Sequence, residues 1–418
     1  MTSSLLTPDH ARNMRLIGHS DQGGRADGIQ IMVSGGYAYV GHVFNNGFSI
    51  IDVRDPKNPT FVRHIPQPEG TWSQHLQTHG DILIVNNMCD MLKVETSGAF
   101  DPGEYYKGSV ADKIDISAGD RPYSAGMRVY DISDRANPRE IAFLEVPGLG
   151  VHRVFWDGGD WAYISALPPG FSDDILMIVD FRNPEKPEVV SKLWREGMHT
   201  AGGETPWWDP KYRYALHHAI IKGDLGAAAW RDGGMSLIDV SDRHNPRFLS
   251  HHNPCPPFAG HTHNTLPLPG RGLLFVVEES QADNCEDGIK RNWVYDISVP
   301  TNPVSIATTL PPADADYRNK GGQFGPHNVH ENRKEGFQSE ELMFVSYQNA
   351  GLRVYDISNP FRPEEVAACV PPAPKKLMDY RPDRPLVVDT TDVYVDRQGL
   401  IYTTDMNAGL YIMEMEGL

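Results

Sequence analysis

Five histidines stand at the same place in five successive repeats of this chain. His75-Leu76-Gln77, His152-Arg153-Val154, His218-Ala219-Ile220, His263-Asn264-Thr265 and His327-Asn328-Val329 each open a short apolar run, and His217 sits beside His218. The matching stretch reads Thr391-Asp392-Val393 in the last repeat and Asp27-Gly28-Ile29 in the first. Histidine makes up only 17 of 418 residues, so this register is far from random, although repeats born of duplication are not independent. Neutral imidazole is a ligand for Fe, Mn, Zn and Cu. Imidazoles presented by rigid strands around one axis make a preorganised site. The register therefore predicts one divalent transition metal ion (Fe, Mn or Zn) held by His75, His152, His218, His263 and His327. His261 lies two residues before His263 and points to the same side of its strand, as a further ligand or an acid–base group. His217 and Arg153 complete the candidate catalytic set. Arg153 can hold a substrate anion bidentately, although strand alternation aims it away from His152. His79 and His330 fall outside the register and read as structural. Glu278, Glu279 and Glu331 lie near the ends of inner strands and read first as surface charge, or as groups that orient a ligand His. The plainer reading of the whole pattern is a scaffold in which each His hydrogen-bonds its neighbouring repeat.

The elements that must position these groups are written in a recurring phrase. An apolar run ends in Asp, a polar turn follows, then Pro: Asp52 to Pro59, Asp131 to Pro138, Asp180 to Pro187, Asp239 to Pro246, Asp296 to Pro303 and Asp356 to Pro363. Successive copies start 79, 49, 59, 57 and 60 residues apart. Such self-similarity is the mark of a repeat architecture. In the first copy, Ile29–Val33, Tyr37–Val43, Phe48–Val53 and Thr60–Ile65 read as four strands separated by turn residues, with Asn46-Gly47 as a hairpin signal. Asp392–Met415 supplies only three strands of a last unit. Asn13–Asp21 reads as the missing fourth. The expectation is all-β: a seven-bladed β-propeller closed by an N-terminal strand joining the C-terminal blade, in one domain spanning residues 1–418.

The third-strand phrases, Ile175-Leu176-Met177-Ile178-Val179-Asp180 above all, resemble the LVIVD-repeat family. The resemblance spans the chain from about Met14 onward. It implies a propeller and, since propellers host many functions, no particular activity.

Long insertions break the rhythm near residues 88–125, 198–214, 313–326 and 371–385. Loops of this length are commonly lids or binding loops, and Trp207 and Trp208, with Tyr212 and Tyr214, offer a wall for an apolar substrate. The formal net charge of −17 argues against nucleic acid and anionic membranes as partners. Cys89, Cys255, Cys285 and Cys369 form no CxxC pair, which suits reduced thiols, with a Cys255–Cys285 bridge as the alternative. No apolar run approaches 18 residues, and the first residues lack the pattern of a secretory signal, so a soluble, cytoplasmic protein is expected. The oligomeric state is left open. The chemistry expected is that of a metal-dependent lyase or hydrolase acting on a small-molecule substrate, with a non-haem iron oxygenase and a non-enzymatic interaction propeller as alternatives.

Overall fold

The computed structural model describes residues 7–96, 107–114 and 122–418. Its regular structure is almost wholly antiparallel strand, with one short α-helix at Met91–Thr96 and a few single-turn 3-10 helices among the described residues. The first unit is a four-stranded meander of Ile31–Ser34, Tyr37–Gly41, Phe48–Asp52 and Thr60–Ile65. These bounds lie within a few residues of those read from the sequence. In the next sheet Thr71–Trp72 and Leu76–His79 both pair with Ile82–Cys89, which continues to Gly126–Asp131 and Arg139–Glu145. Val151–Phe155, Trp161–Ala166, Ile175–Asp180 and Glu188–Leu193 form a further meander. An eight-stranded sheet follows. It consists of two meanders, starting at Tyr214 and at Thr262, that are joined where Arg231 faces Thr262.

The chain ends come together. Met14–Ser20 pairs with Gly409–Met415, the last strand of the final meander, as the sequence led us to expect. One pairing was not legible in the sequence: His10–Arg12 adds to the outer edge of the preceding sheet, against Glu364–Val370. The N-terminal segment thus covers two sheet edges that would otherwise be open to other chains.

The recurring Asp-to-Pro phrase has a local cause. In all six copies the Asp carboxylate accepts the backbone N–H two residues on, from Arg54, Ser133, Arg182, Ser241, Ser298 or Ser358. This Asx-type turn reverses the chain without regular secondary structure. Each of these units also carries a register shift between its third and fourth strands, from Ile50/Ile51 to Val354/Tyr355. Such bulges sharpen the twist of the outer strands. The second and third strands bury Val, Ile, Leu and aromatic side chains between adjacent sheets, which suits their β-branched composition.

The four insertions differ in their placement. Of the loop near 88–125, residues 97–106 and 115–121 lie outside the described residues. Trp207 is 62% exposed, and Trp208 stacks on Tyr214 with ring centroids 4.3 Å apart. These aromatic rings pack on one another and do not wall the central cavity described below. All four cysteines are free, including Cys255 and Cys285. Among the described residues, no helix is long and apolar enough to cross a membrane.

Gly18 tests the N-terminal pairing. A Cβ there would stand 2.0 Å from the carbonyl oxygen of Pro56, in the turn of the first unit. Gly18→Ala is expected to destabilise the protein by about 1–3 kcal/mol, as overpacking does. Urea unfolding would measure this, and an unchanged midpoint would refute the close approach.

Candidate metal centre

The inner strand of several units is bulged at the histidine register. Pairing skips His152 between Val151 and Arg153, His263 between Thr262 and Asn264, and Thr391 between Thr390 and Asp392. In the strand Tyr214–Lys222 it skips residues 215–217. A bulge re-aims its side chain and leaves a carbonyl outside the ladder. Those carbonyls are used by the neighbouring unit. Asn86 Nδ2 donates to the carbonyl of His152 (3.1 Å), and Ser165 Oγ to that of His217 (3.0 Å). His217 Nδ1 donates to His263 (2.7 Å), His263 Nδ1 to His327 (2.6 Å), and His327 Nδ1 to Thr391. Thr391 Oγ1 then donates to Gly28 (2.6 Å).

A ring that donates through Nδ1 keeps its lone pair on Nε2. The imidazoles of His75, His152, His217, His263 and His327 form a continuous arc. Adjacent centroids lie 5.2 Å (His75–His152), 5.0 Å (His152–His217), 3.5 Å (His217–His263) and 4.5 Å (His263–His327) apart. Within the arc, ligand atoms of His75, His152 and His217 come within 4.8 Å of one another, and so do those of His263, Glu279 and His327. All are buried or nearly so.

His217, and not His218, belongs to this arc. The two are adjacent on one strand, so their side chains diverge. His218 Nδ1 instead meets Asn264 Nδ2 (3.0 Å), and its Nε2 lies 3.6 Å from Glu331. Arg153 does not line the cavity; it is 1% exposed and bonded to Glu331 Oε1 (3.1 Å) and Asn328 Oδ1 (3.2 Å). His261 sits behind Arg231, whose Nη1 donates to His261 Nε2 (2.9 Å), with Asp232 3.4 Å from its Nδ1. His330 is structural: it bonds the carbonyl of Phe337 (2.8 Å) and accepts the N–H of Val395 (3.2 Å).

The arc lines a cavity of about 100 Å³. Arg231, Glu279 and Gln348 enter it from equivalent positions at the ends of second strands, and Met406 holds the same place in the last unit. Arg231 and Gln348 have positive φ (50° and 37°), as does His261 (66°). Such backbone strain gathers at functional sites. Ile29, Val43, Phe44 and Trp72 form an apolar wall, and three insertions each contribute one residue: Leu92, Gln323 and Arg381.

Glu278, Glu279 and Glu331 are all buried, which corrects their reading as surface charge. Glu279 lies 3.3 Å from His263 Nε2 and 3.4 Å from His327 Nε2. Burial works against its charge, yet His263 and His327 hold its carboxyl well below the usual range. Burial, reinforced by nearby guanidinium groups and by the other rings, keeps His75, His152 and His217 well below the ordinary imidazole range. Burial also lowers His263, against the pull of Glu279. For His327 the balance reverses: burial opposes charge, but its bond to Glu279 raises it. Neutral imidazoles and an ionised carboxylate are the forms that bind metal.

The LVIVD repeat matches residues 23–65 and 339–370. No curated protein matches. A chain in the "Crystal Structure of Mitotic Checkpoint Complex" is similar over 98% of this chain and 96% of its own length, at 9% identity and a TM-score of 0.55. At that identity the likeness shows a propeller-like fold and nothing of function. The computationally designed Ika8 protein aligns over 95% of this chain and 97% of its own, at 9% identity and a TM-score of 0.48.

Asp392 follows the register residue Thr391 and is buried at the core of the last unit. Burial pushes its carboxyl up to about 7, against the lowering effects of Arg153 and the Ile31 N–H. The folded-state value lies above the unfolded one, about 3.9. Its contribution to stability is therefore complete below about pH 4 and lost as pH rises through about 7. Asp392→Asn should gain thermal stability over the parent progressively between those values and then level off. Parallel melting curves from pH 4 to 8 would check this, and a constant difference would contradict it.

Proposed function

We propose that this LVIVD-repeat chain is a metal-dependent enzyme built as a seven-bladed propeller. Each half of the eight-stranded sheet counts as one blade, and the Met14–Ser20 strand closes the ring. The pairing of that strand with Gly409–Met415 supports closure. One observation carries the functional reading: His217, His263 and His327 spend Nδ1 on a neighbouring carbonyl, and their rings gather with Glu279 around one cavity. Backbone-oriented imidazoles of this kind are the usual outer support of metal sites.

The donor set of imidazoles with one carboxylate suits Fe, Mn or Zn. Such an ion supplies Lewis acidity, which polarises a carbonyl or activates water. The chain supplies the rest. His152, His217, His263, His327 and Glu279 hold the ion. Arg231 stands where it can neutralise a substrate anion. Ile29, Val43, Phe44 and Trp72 offer an apolar surface to the remainder of a small organic molecule. We assign lyase or hydrolase chemistry first. Non-haem iron oxygenation is the second reading, favoured by the number of imidazoles. The four free thiols are in keeping with a reducing, cytoplasmic setting.

Elemental analysis of the purified protein tests the proposal. About one equivalent of transition metal per chain is expected. The double variant His152→Ala/His263→Ala should lose it and keep the far-ultraviolet spectrum of the parent. A parent that neither carries nor takes up Fe, Mn or Zn would overturn the reading. Turnover that requires oxygen would decide for the oxygenase.

A further inference from the structure

The imidazoles of the arc are not equivalent, and their partners say how they differ. A carbonyl oxygen only accepts, so His217, His263 and His327 each carry a proton on Nδ1, and His217 and His263 keep a lone pair on Nε2, whereas Nε2 of His327 meets Glu279 (3.4 Å). His152 is of the same kind: Arg231 Nη2 donates to its Nε2 (3.3 Å), and its Nδ1 faces Met88 Sδ (3.3 Å). His75 is the reverse. Its Nδ1 faces Arg153 Nη1 at 3.4 Å, and a guanidinium only donates. A proton on that nitrogen would set two donors against each other in a buried place.

Arg153 cannot readily turn away to relieve such a clash. Its other contacts, Asn328 Oδ1 and Glu331 Oε1, fix the guanidinium plane, and Glu331 is itself held by Arg333 Nη1 (2.7 Å). The lone pair of His75 is thereby committed to Nδ1, and the proton is left on Nε2. His75 nevertheless lines the cavity and packs edge-on against His152.

We infer that His75 is not a ligand of the cation but a fixed Nε2–H hydrogen-bond donor beside it, for an oxygen atom of the bound substrate, and that Arg153 is the positioning residue that sets this tautomer. The inference rests on the metal-centre reading for the cation and on the Arg153 contact alone for the tautomer. It narrows the substrate to small molecules with a carbonyl or carboxylate oxygen, which the Nε2–H of His75 and the guanidinium of Arg231 can both address.

Two measurements separate this inference from the metal reading. In protein labelled with ¹⁵N-histidine, two-bond ¹H–¹⁵N correlation spectra report each tautomer, with His75 assigned by its loss in His75→Gln. His75 is expected as the Nε2–H form, and His217 and His263 as Nδ1–H forms, in metal-free protein. Arg153→Lys, which keeps a donor, should preserve the His75 pattern; Arg153→Met should let the Nδ1–H form appear. In zinc titrations, His75→Gln should retain affinity within about threefold of the parent, whereas His217→Ala and His263→Ala should each lose tenfold or more. An Nδ1–H signal for His75 in the parent, or a loss of zinc in His75→Gln equal to that in His263→Ala, would overturn the assignment. A parent that takes up no zinc removes the metal reading alone, and the spectrum of that protein still decides the tautomer.

Discussion

The structure turns on one recurring hydrogen bond, from a side chain of one unit to the register carbonyl of the next. A bulge in the inner strand frees that carbonyl from its own ladder. A buried carbonyl left unpaired would cost about 1–3 kcal/mol, so each bulge needs a donor from the neighbouring unit. Asn86, Ser165, His217 and His327 supply those donors, and His263 and Thr391 make the same bond to the register carbonyls of His327 and Gly28. The contact therefore locks adjacent sheets in register. Where the donor is an imidazole, the same contact fixes the tautomer and turns the second nitrogen inward. The scaffold reading and the metal reading of the histidines are two consequences of one bond, because imidazole has two nitrogens.

The charged groups around the arc follow a different logic. Arg153, Glu331 and Arg333 are buried together, as are Arg231 and Glu279. Buried ion pairs add little net stability, because desolvation offsets their attraction. An apolar interior would serve the fold as well. Their presence at the arc, and the positive φ of Arg231, His261 and Gln348, mark strain and desolvation accepted at a site. Glu279 Oε2 and Arg231 Nε are buried without a hydrogen-bond partner within the chain. Unsatisfied polar atoms in such a cavity are places for a bound group.

Most of the strand order was legible because the recurring phrase encodes a turn. Asp at the end of a third strand caps the amide two residues on, and this works the same way in each copy. The N-terminal strand was legible because the last unit lacks a fourth. The short His10–Arg12 strand was not, since three residues carry no periodicity. Within the site, His75, His152, His263 and His327 were found from register alone. His217 and His218 were confused because the bulge spans residues 215–217 and destroys the alternation on which the choice depends. Arg231 and Gln348 lie outside the first-strand register, and Glu279, named only as a surface charge or an orienting group, does too. Their signal was present: charged or amide side chains at one register of the second strands, just after apolar runs.

Arg153 shows how far side-chain direction outweighs residue type. By chemistry it is an anion holder, and it is next in sequence to a ligand candidate. Alternation along the strand sends it to the face opposite His152, where Glu331 and Asn328 take its donors and only His75 remains within reach. Arg231 reaches the cavity because it lies on a second strand, at a bend where the chain adopts positive φ. Two arginines thus divide the work that one sequence position suggested. One faces the cavity and can meet an anion; the other never touches it and acts only through the imidazole that does.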